Sequence, residues 1–411
     1  MSQSKEIAAL DAHDPLAHCR DEFLLPENTV YLDGNSLGPL SKRSQQRINE
    51  VVKNQWGEDL IKSWNSHSWI DLPFSVGEKI APLIGAAKGQ TVCCDSISVN
   101  LFKLLSYALQ LQPKRKTILS QIDNFPTDLY MAQGLQSLLG NERCELLQVA
   151  AEQIPNALNE EIAVLMLTHV NFRSGEIHDI QAMTEQAHEL GILVIWDLAH
   201  SAGAVPLELD ACNVDFAVGC GYKYLNGGPG APAFIYVAER HQNAAEQPLS
   251  GWMGHRIPFD FINDYQPGNG MKQFLTGTPN ILSMAALDAA LDIFADLSIE
   301  QVYAKSIALT ALFCQLIEEN IELQSLNSLS PAAAMRGSQI ALSHPQAFAI
   351  SQALIAENIV VDYRAPNIIR FGFAPLYTRF QDVAKTVEVL AELMRSQRFH
   401  DPIYAQRATV T

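Results

Sequence analysis

The 411-residue sequence predicts an α/β protein with a mainly parallel central sheet in a large domain, joined to a smaller α+β domain. Three observations predict it. From about residue 90 to 238, short apolar runs alternate with longer segments of helical period, the pattern of strands joined by helical crossovers. A Pro- and Gly-rich stretch, 266–279, closes that alternation and gives way to helices and short strands of a different rhythm. The chain is also too long for a single compact core.

In chain order, 117–122 reads as a strand, 128–139 as a helix, 162–168 as a strand and 180–190 as a helix closed by Gly191. Segments 192–197, 216–219 and 233–237 read as further strands. Ligands of open α/β sheets sit beyond the carboxyl ends of the strands. The loops 123–128, 168–175, 197–203 and 220–230 therefore surround one candidate site. A long helical segment, 281–297, opens the second rhythm, and the first sixty or so residues, which lack the alternation, are expected to pack with the C-terminal portion. The expected division is a large domain over 26–290 and a small one built from 1–25 and 291–411.

With 48% hydrophobic and 18% charged residues the composition is that of an ordinary globular protein. A net charge of −17 disfavours nucleic acid and anionic membranes, which need clustered cations, but leaves room for an anionic small molecule. No apolar run is long enough to span a bilayer, and the start Met-Ser-Gln-Ser-Lys-Glu lacks the order of a signal peptide, so the expected compartment is the cytoplasm. Seven cysteines without a CxxC pair point to neither disulfides nor a metal site.

Lys223 follows the apolar run 215–219 and precedes Gly227, Gly228 and Gly230, which let a backbone pass close to a bulky ligand. Standing alone it reads as a surface lysine. An amine that attacks an aldehyde needs shielding or neighbouring cations to lose its proton, so partners decide the matter. Asp197 ends the run Ile-Leu-Val-Ile-Trp-Asp. A carboxylate there can keep the ring nitrogen of pyridoxal phosphate protonated, which makes the ring an electron sink; the alternative is an N-cap for 198–203. Ser98 and the backbone of Ile97, ahead of the apolar-periodic 101–111, form a phosphate cradle or an ordinary cap. Phe125 either stacks on a pyridine face or belongs to the core. An Asp ending one strand and a Lys following the next favour pyridoxal phosphate.

The segments Tyr31-Leu-Asp-Gly-Asn-Ser-Leu-Gly38, Phe125-Pro-Thr-Asp128, Asp197-Leu-Ala-His200, Tyr222-Lys-Tyr-Leu-Asn226 and Gly251-Trp-Met-Gly-His255 stand in this order. With Asn367-Ile-Ile-Arg-Phe-Gly-Phe-Ala-Pro-Leu-Tyr377 they cover nearly the whole chain, and as a set they resemble the kynureninases. The resemblance implies a fold-type I pyridoxal-phosphate enzyme of the class V aminotransferase kind, a homodimer with active sites at the subunit interface. It implies hydrolysis of L-kynurenine, or its 3-hydroxy derivative, to anthranilate and L-alanine, in tryptophan catabolism and on the kynurenine route to NAD. Lys223 would carry the cofactor as a Schiff base and share proton transfer with Tyr222, Asp197 would pair with the ring nitrogen, and His200 would lie beside it. Phe125 would stack on the ring, with Pro126, Thr127, Asp128 and Thr168 in contact with the cofactor. Ile97, Ser98 and Tyr222 would hold the phosphate, joined by Trp252 and Thr278 from the neighbouring subunit. Arg370 would clamp the substrate carboxylate with its bidentate fork, near Asn35 and Ser36, and Trp64, His67, Phe172 and His255 would line the aryl pocket. Trp64 and Thr278 resemble the kynurenine-preferring bacterial pattern.

Rival readings make distinct demands. A cysteine desulfurase or selenocysteine lyase shares the Asp and Lys framework but typically places His before the lysine and a nucleophilic Cys on a C-terminal loop. Here Tyr222 precedes Lys223, and Cys314 sits within the helical period of 307–317. Nothing points to the second amino-acid specificity of an aminotransferase. A non-catalytic binding protein of this fold would have lost one of Lys223, Asp197 and Arg370, and all are present.

Overall fold

In the computed structural model, which describes residues 3–407, the apolar runs of the first two thirds form one seven-stranded sheet. After a short N-terminal strand β1 (Val30–Tyr31), which lies outside this sheet, come β2 (Thr91–Cys93), β3 (Thr117–Gln121), β4 (Glu145–Val149), β5 (Ile162–Thr168), β6 (Leu193–Asp197), β7 (Phe216–Cys220) and β8 (Ala233–Val237). The spatial order is β2-β8-β7-β6-β5-β3-β4. Strands β4, β3, β5, β6 and β7 run parallel, and β8 is antiparallel to both β7 and β2. Strand β5 is buried at all seven residues, as a strand covered on both faces must be. Successive side chains divide between the covers: Leu165, Leu167 and Trp196 pack with Ile180 and Ala187, whereas Val164, Met166 and Ile195 pack with Leu101, Leu104 and Leu135.

The elements depart from the sequence reading where local chemistry intervenes. The helix expected from 128 begins at Pro126, whose fixed φ and missing N–H suit the first helical turn. The segment expected as one helix over 281–297 is the helix Ile281–Leu291 followed by a tighter turn, Asp292–Phe294. Lys79 bonds both the Asp288 carbonyl and the Asp292 carboxylate there, removing the acceptor that the next helical turn would use. Strands β2 and β4 were not anticipated: β2 is three residues long, and β4 is a half-exposed edge.

The last third adds β9 (Asn327–Ser328), β10 (Gln339–Ser343), β11 (Ile359–Val360), β12 (Asp362–Arg364) and β13 (Ile368–Gly372). An antiparallel sheet of order β12-β13-β10-β9 packs against the helices Ile299–Glu319, Ala347–Ala356 and Phe380–Ser396 around Leu309, Phe313, Ile350, Phe371 and Leu390. The N-terminal chain serves both cores. Leu16, Cys19 and Phe23 join the first; Ile7, Val30 and Leu32 join the second, where β1 pairs in parallel with β11. All seven cysteines are free, and Cys314 is half-buried against the second core. Among the described residues no helix is long and apolar enough to cross a membrane.

Candidate active site

Neighbouring parallel strands β6 and β7 deliver the two central groups to one edge of the sheet. Asp197 is the last residue of β6, and the turn that follows β7 carries Tyr222 and Lys223. That turn is sealed by the N-terminal motif: Gly38 N–H donates to the Tyr222 carbonyl at 2.7 Å, and a Cβ on Gly38 would lie 2.5 Å from the Lys223 carbonyl oxygen. The glycines after the lysine act differently from the expectation. Gly227 packs against the Gly221 carbonyl and Leu287, while Gly228 and Gly230 have φ of +83° and +74° with open space around them. They shape the turn.

Lys223 is buried in a cavity of about 160 Å³ whose wall includes Ile97, Ser98, Phe125, Thr127, Asp128, Asp197, His200 and Tyr222. Its Nζ lies 3.3 Å from His200 Nε2 and 5.8 Å from the ring centroids of both Phe125 and Tyr222. At one end the helix Ile97–Leu111 presents its N-terminus, capped by Ser96 Oγ, which accepts from Val99 N–H at 3.4 Å. At the other end stand the carboxyls of Asp197 and Asp128. Asp197 Oδ1 accepts from Ala199 N–H at 2.8 Å, which realises part of the capping alternative in a turn. Thr168 Oγ1 donates to Asp128 Oδ2 at 3.3 Å and also contacts Asn124 Oδ1.

Burial raises the pKa of Asp197 and holds that of Asp128 well above the carboxylate range, Asp128 being pushed further by the neighbouring charge of Asp197. Burial, reinforced by the positive charges of Lys223 and Arg370, keeps His200 a neutral imidazole. Burial likewise raises Tyr222, so it is a phenol that can donate. Among the described residues Asp128 Oδ1 and His200 Nδ1 have no hydrogen-bond partner. Buried polar atoms are seldom left so. One amine, two under-compensated carboxyls and a helix N-terminus in one cavity match a small ring with an anion at one end and a protonated nitrogen at the other. Pyridoxal phosphate has that form, and the residues present fit it.

The remaining expected site residues separate into two sets. Arg370, buried on β13, gathers part of the first: its Nη1 donates to the Phe172 carbonyl at 2.6 Å and its Nη2 to Ser36 Oγ at 3.2 Å. Asn35 Nδ2 donates to Gln339 Oε1 at 3.2 Å, and the Phe172 ring meets Phe125 edge-on at 5.2 Å. Pro126 opens its helix behind Phe125. The second set does not line the Lys223 cavity. Trp64 packs on Trp69, His67 pairs with Asp59 at 2.8 Å, and His255 Nε2 lies 3.3 Å from the Asp264 carbonyl. Trp252 stacks with exposed Phe261 and meets Phe259, and Thr278 is exposed. Sequence reasoning missed Ser96, Asn124 and Asp362. Ser96 had a signal, a serine just ahead of the apolar-periodic segment; Asn124 and Asp362 act through tertiary contacts that leave none.

A model of the kynureninase C-terminal domain matches residues 302–390. The chain is 48% identical to kynureninase from Burkholderia pseudomallei (strain 1106a) over 417 residues, covering 100% of both chains. It is 44% identical to kynureninase from Pseudomonas fluorescens over 416 residues, again covering 100% of both. Among solved structures, a cysteine desulfurase from Thermococcus onnurineus NA1 matches with a TM-score of 0.77 at 18% identity, covering 92% of this chain and 98% of that one. A C-DES mutant with glycine covalently linked to its PLP cofactor matches with a TM-score of 0.77 at 16% identity, covering 91% and 99%. These two share the fold, that of fold-type I pyridoxal-phosphate enzymes. Full-length identity of 48% to a curated relative carries more: the chain belongs to the kynureninase family.

Proposed function

We propose that the protein hydrolyses L-kynurenine to anthranilate and L-alanine, with pyridoxal phosphate at Lys223. The observation that carries this reading is the Lys223 cavity with its paired carboxyls, in a chain of this family. Pyridoxal phosphate, when bound, supplies the electron sink that lets a Cα proton leave and the adjacent carbon–carbon bond break.

The chain's own groups do the rest. Asp197 holds the ring nitrogen's proton, and Phe125 covers one ring face. The N–H groups of Ile97 and Ser98 and the Tyr222 hydroxyl hold the phosphate. Pro126, Thr127, Asp128 and Thr168 complete the contacts, and neutral His200 stays beside Lys223 without adding charge. Once substrate has taken its place, the Lys223 amine removes the Cα proton. Cleavage then needs water at the γ-carbonyl: its oxygen joins Cγ, the Cβ–Cγ bond breaks, and a proton goes to Cβ. Lys223 and the Tyr222 phenol share that proton transfer. Arg370, with Asn35 and Ser36, orients the α-carboxylate, and Phe172, with Trp64, His67 and His255, receives the aryl ring.

Trp252 and Thr278 reach the phosphate of a second subunit in a homodimer, a reading supported by the exposure of Thr278 and by half-buried Trp252 standing against the exposed rings of Phe259 and Phe261. Two cores support a large domain over 26–290 and a small one from 1–25 and 291–411, with Val30 and Leu32 bridging them. The free cysteines support a cytoplasmic setting.

Incubation with L-kynurenine, 3-hydroxykynurenine and L-cysteine tests the activity. Fluorescent anthranilate is expected, faster from kynurenine than hydroxyanthranilate from its 3-hydroxy derivative; sulfide from cysteine without anthranilate would overturn the reading. Mixing inactive Lys223→Ala and Trp252→Ala chains tests the shared site, since a mixed dimer regains one complete site and neither parent has any.

A further inference from the structure

The positive group expected to meet the substrate carboxylate is already engaged. Asp362 and Arg370 are direct cross-strand partners on β12 and β13, so their side chains share one face of the sheet. Both are 1% exposed. Arg370 donates from Nε to Asp362 Oδ2 at 3.1 Å and makes a second, close contact from Nη2 to the same oxygen. Ser36 Oγ donates to that oxygen at 2.9 Å while accepting from Arg370 Nη2. The other oxygen, Oδ1, takes Arg364 Nη1 at 2.6 Å.

A guanidinium has five N–H groups, and the partners of Arg370 account for all but one, on Nη1. The Asp362 carboxylate holds the side edge of the guanidinium, Nε and Nη2, and this fixes the Nη1–Nη2 end toward Ser36 and Phe172. Only hydroxyl and carbonyl oxygens occupy that end, and a carboxylate bonds a guanidinium more strongly than either.

We propose that Asp362 is the positioning residue that aims Arg370 at the substrate's α-carboxylate, neutralising it until substrate arrives and keeping its free end turned to the site afterwards. The inference rests on the reading that Arg370 binds that carboxylate. Charge balance supports it. Arg364 and Arg370 face Asp362 and Asp33, and the Asp33 carboxyl is pushed up to about 6 by burial and by the charge of Asp362. The other titratable neighbours, Tyr31, Tyr224, Tyr377 and His200, are all held neutral by burial. With its pKa at about 6 the Asp33 carboxyl is mostly ionised at pH 7, so two arginines face two carboxylates and the resting cluster is close to neutral, as a guanidinium held in balance until an anionic substrate arrives requires.

The test is the kinetics of Asp362→Ala and Asp362→Asn holoenzymes, alone and combined with Arg370→Ala. Asp362→Ala is expected to raise KM for L-kynurenine by about 10–100-fold, the worth of a hydrogen bond to a charged group, with a much smaller change in kcat. Asp362→Asn, which keeps one acceptor oxygen, recovers part of the loss and stands in should the alanine variant fail to fold. Affinity for a substrate analogue lacking the α-carboxylate stays unchanged, and in the Arg370→Ala background the Asp362 substitution adds nothing further. An equal rise in KM in both backgrounds, or none in either, overturns the positioning role while leaving Arg370 as the carboxylate ligand. An Arg370→Ala enzyme with unchanged KM overturns the Arg370 reading and the inference with it.

Discussion

Two buried carboxylate clusters occupy opposite ends of the same sheet, and only one of them is complete. Asp215, just ahead of β7, receives His188 Nε2 at 2.8 Å, His241 Nε2 at 2.7 Å, Arg240 Nη2 at 2.7 Å and the Val194 N–H at 2.8 Å. Burial alone would raise its pKa, but hydrogen bonds from the two histidines hold it far below the carboxylate range. Asp197 and Asp128, at the other end, share one amine and leave Asp128 Oδ1 without a partner among the described residues, and burial pushes both upward. Saturated hydrogen bonding marks a staple between strands. A deficit of donors marks a place kept for a ligand.

The comparison breaks most sharply at Lys223. Lys223→Ala should lower the rate of anthranilate formation by at least about 10⁴-fold, because it removes both the covalent anchor and the proton carrier. Visible absorbance of the bound cofactor should vanish with it; a variant that keeps both the band and measurable turnover would place the chemistry elsewhere. Asp197→Asn keeps the shape but cannot hold the ring nitrogen's proton, so kcat should fall by about 10²–10³-fold, the scale on which a single electrostatic stabiliser acts. Its cofactor affinity, read by titration, should weaken as well. Unchanged kcat would mean that Asp197 is merely a cap.

The completed cluster should respond the other way. Asp215→Asn removes a carboxylate that is 2% exposed and leaves Arg240 without its counter-charge, so unfolding free energy should drop by about 3 kcal/mol, with kcat per folded molecule unchanged. Because its folded pKa lies below the unfolded value, the stabilisation is present above about pH 4 and is lost as pH falls toward the depressed native value. Urea titrations at pH 7 and pH 3 check this. A wild-type advantage that persists undiminished at pH 3 would show that the charge is not what holds the site.

The sequence made the Lys223 cavity legible because its residues sit next to strong local signals. Asp197 ends an apolar strand, Phe125 precedes a helix-opening proline, and Ser98 begins a helix of apolar period. It did not make the direction of β8 legible from the run Ala-Phe-Ile-Tyr-Val, which carries no polarity; that direction follows from residues 221–232, which are filled by the lysine turn and its glycines and form no crossover helix. Asp362 stayed invisible for another reason. Its partner Arg370 is set by the register between β12 and β13, and register is a tertiary property that no local pattern of Asp-Tyr-Arg announces. Trp252 and Thr278 were identifiable only through the family resemblance, since within one chain they do not line the Lys223 cavity.

The smallest expected effect is the one that separates the two clusters most cleanly. Asp128→Asn keeps a donor facing Asp197 and removes the cost of holding a proton on a carboxyl whose charge burial and Asp197 both oppose. The native pKa of Asp128 exceeds its unfolded value, so above about pH 4 the native state holds a proton that the unfolded chain has released, and stability falls as pH rises through that window. The substitution should therefore stabilise the cofactor-free protein at pH 7 by about 1 kcal/mol, the usual yield of relieving a functional compromise, and give no gain at pH 3. Once pyridoxal phosphate is bound, its protonated nitrogen offsets the pair and the gain should disappear. Asp215→Asn, measured beside it, should lose stability under the same neutral conditions. A cofactor-free Asp128→Asn protein that is less stable than wild type at pH 7 would mean that Asp128, like Asp215, is a staple, and that donor deficit does not distinguish the two ends of this sheet.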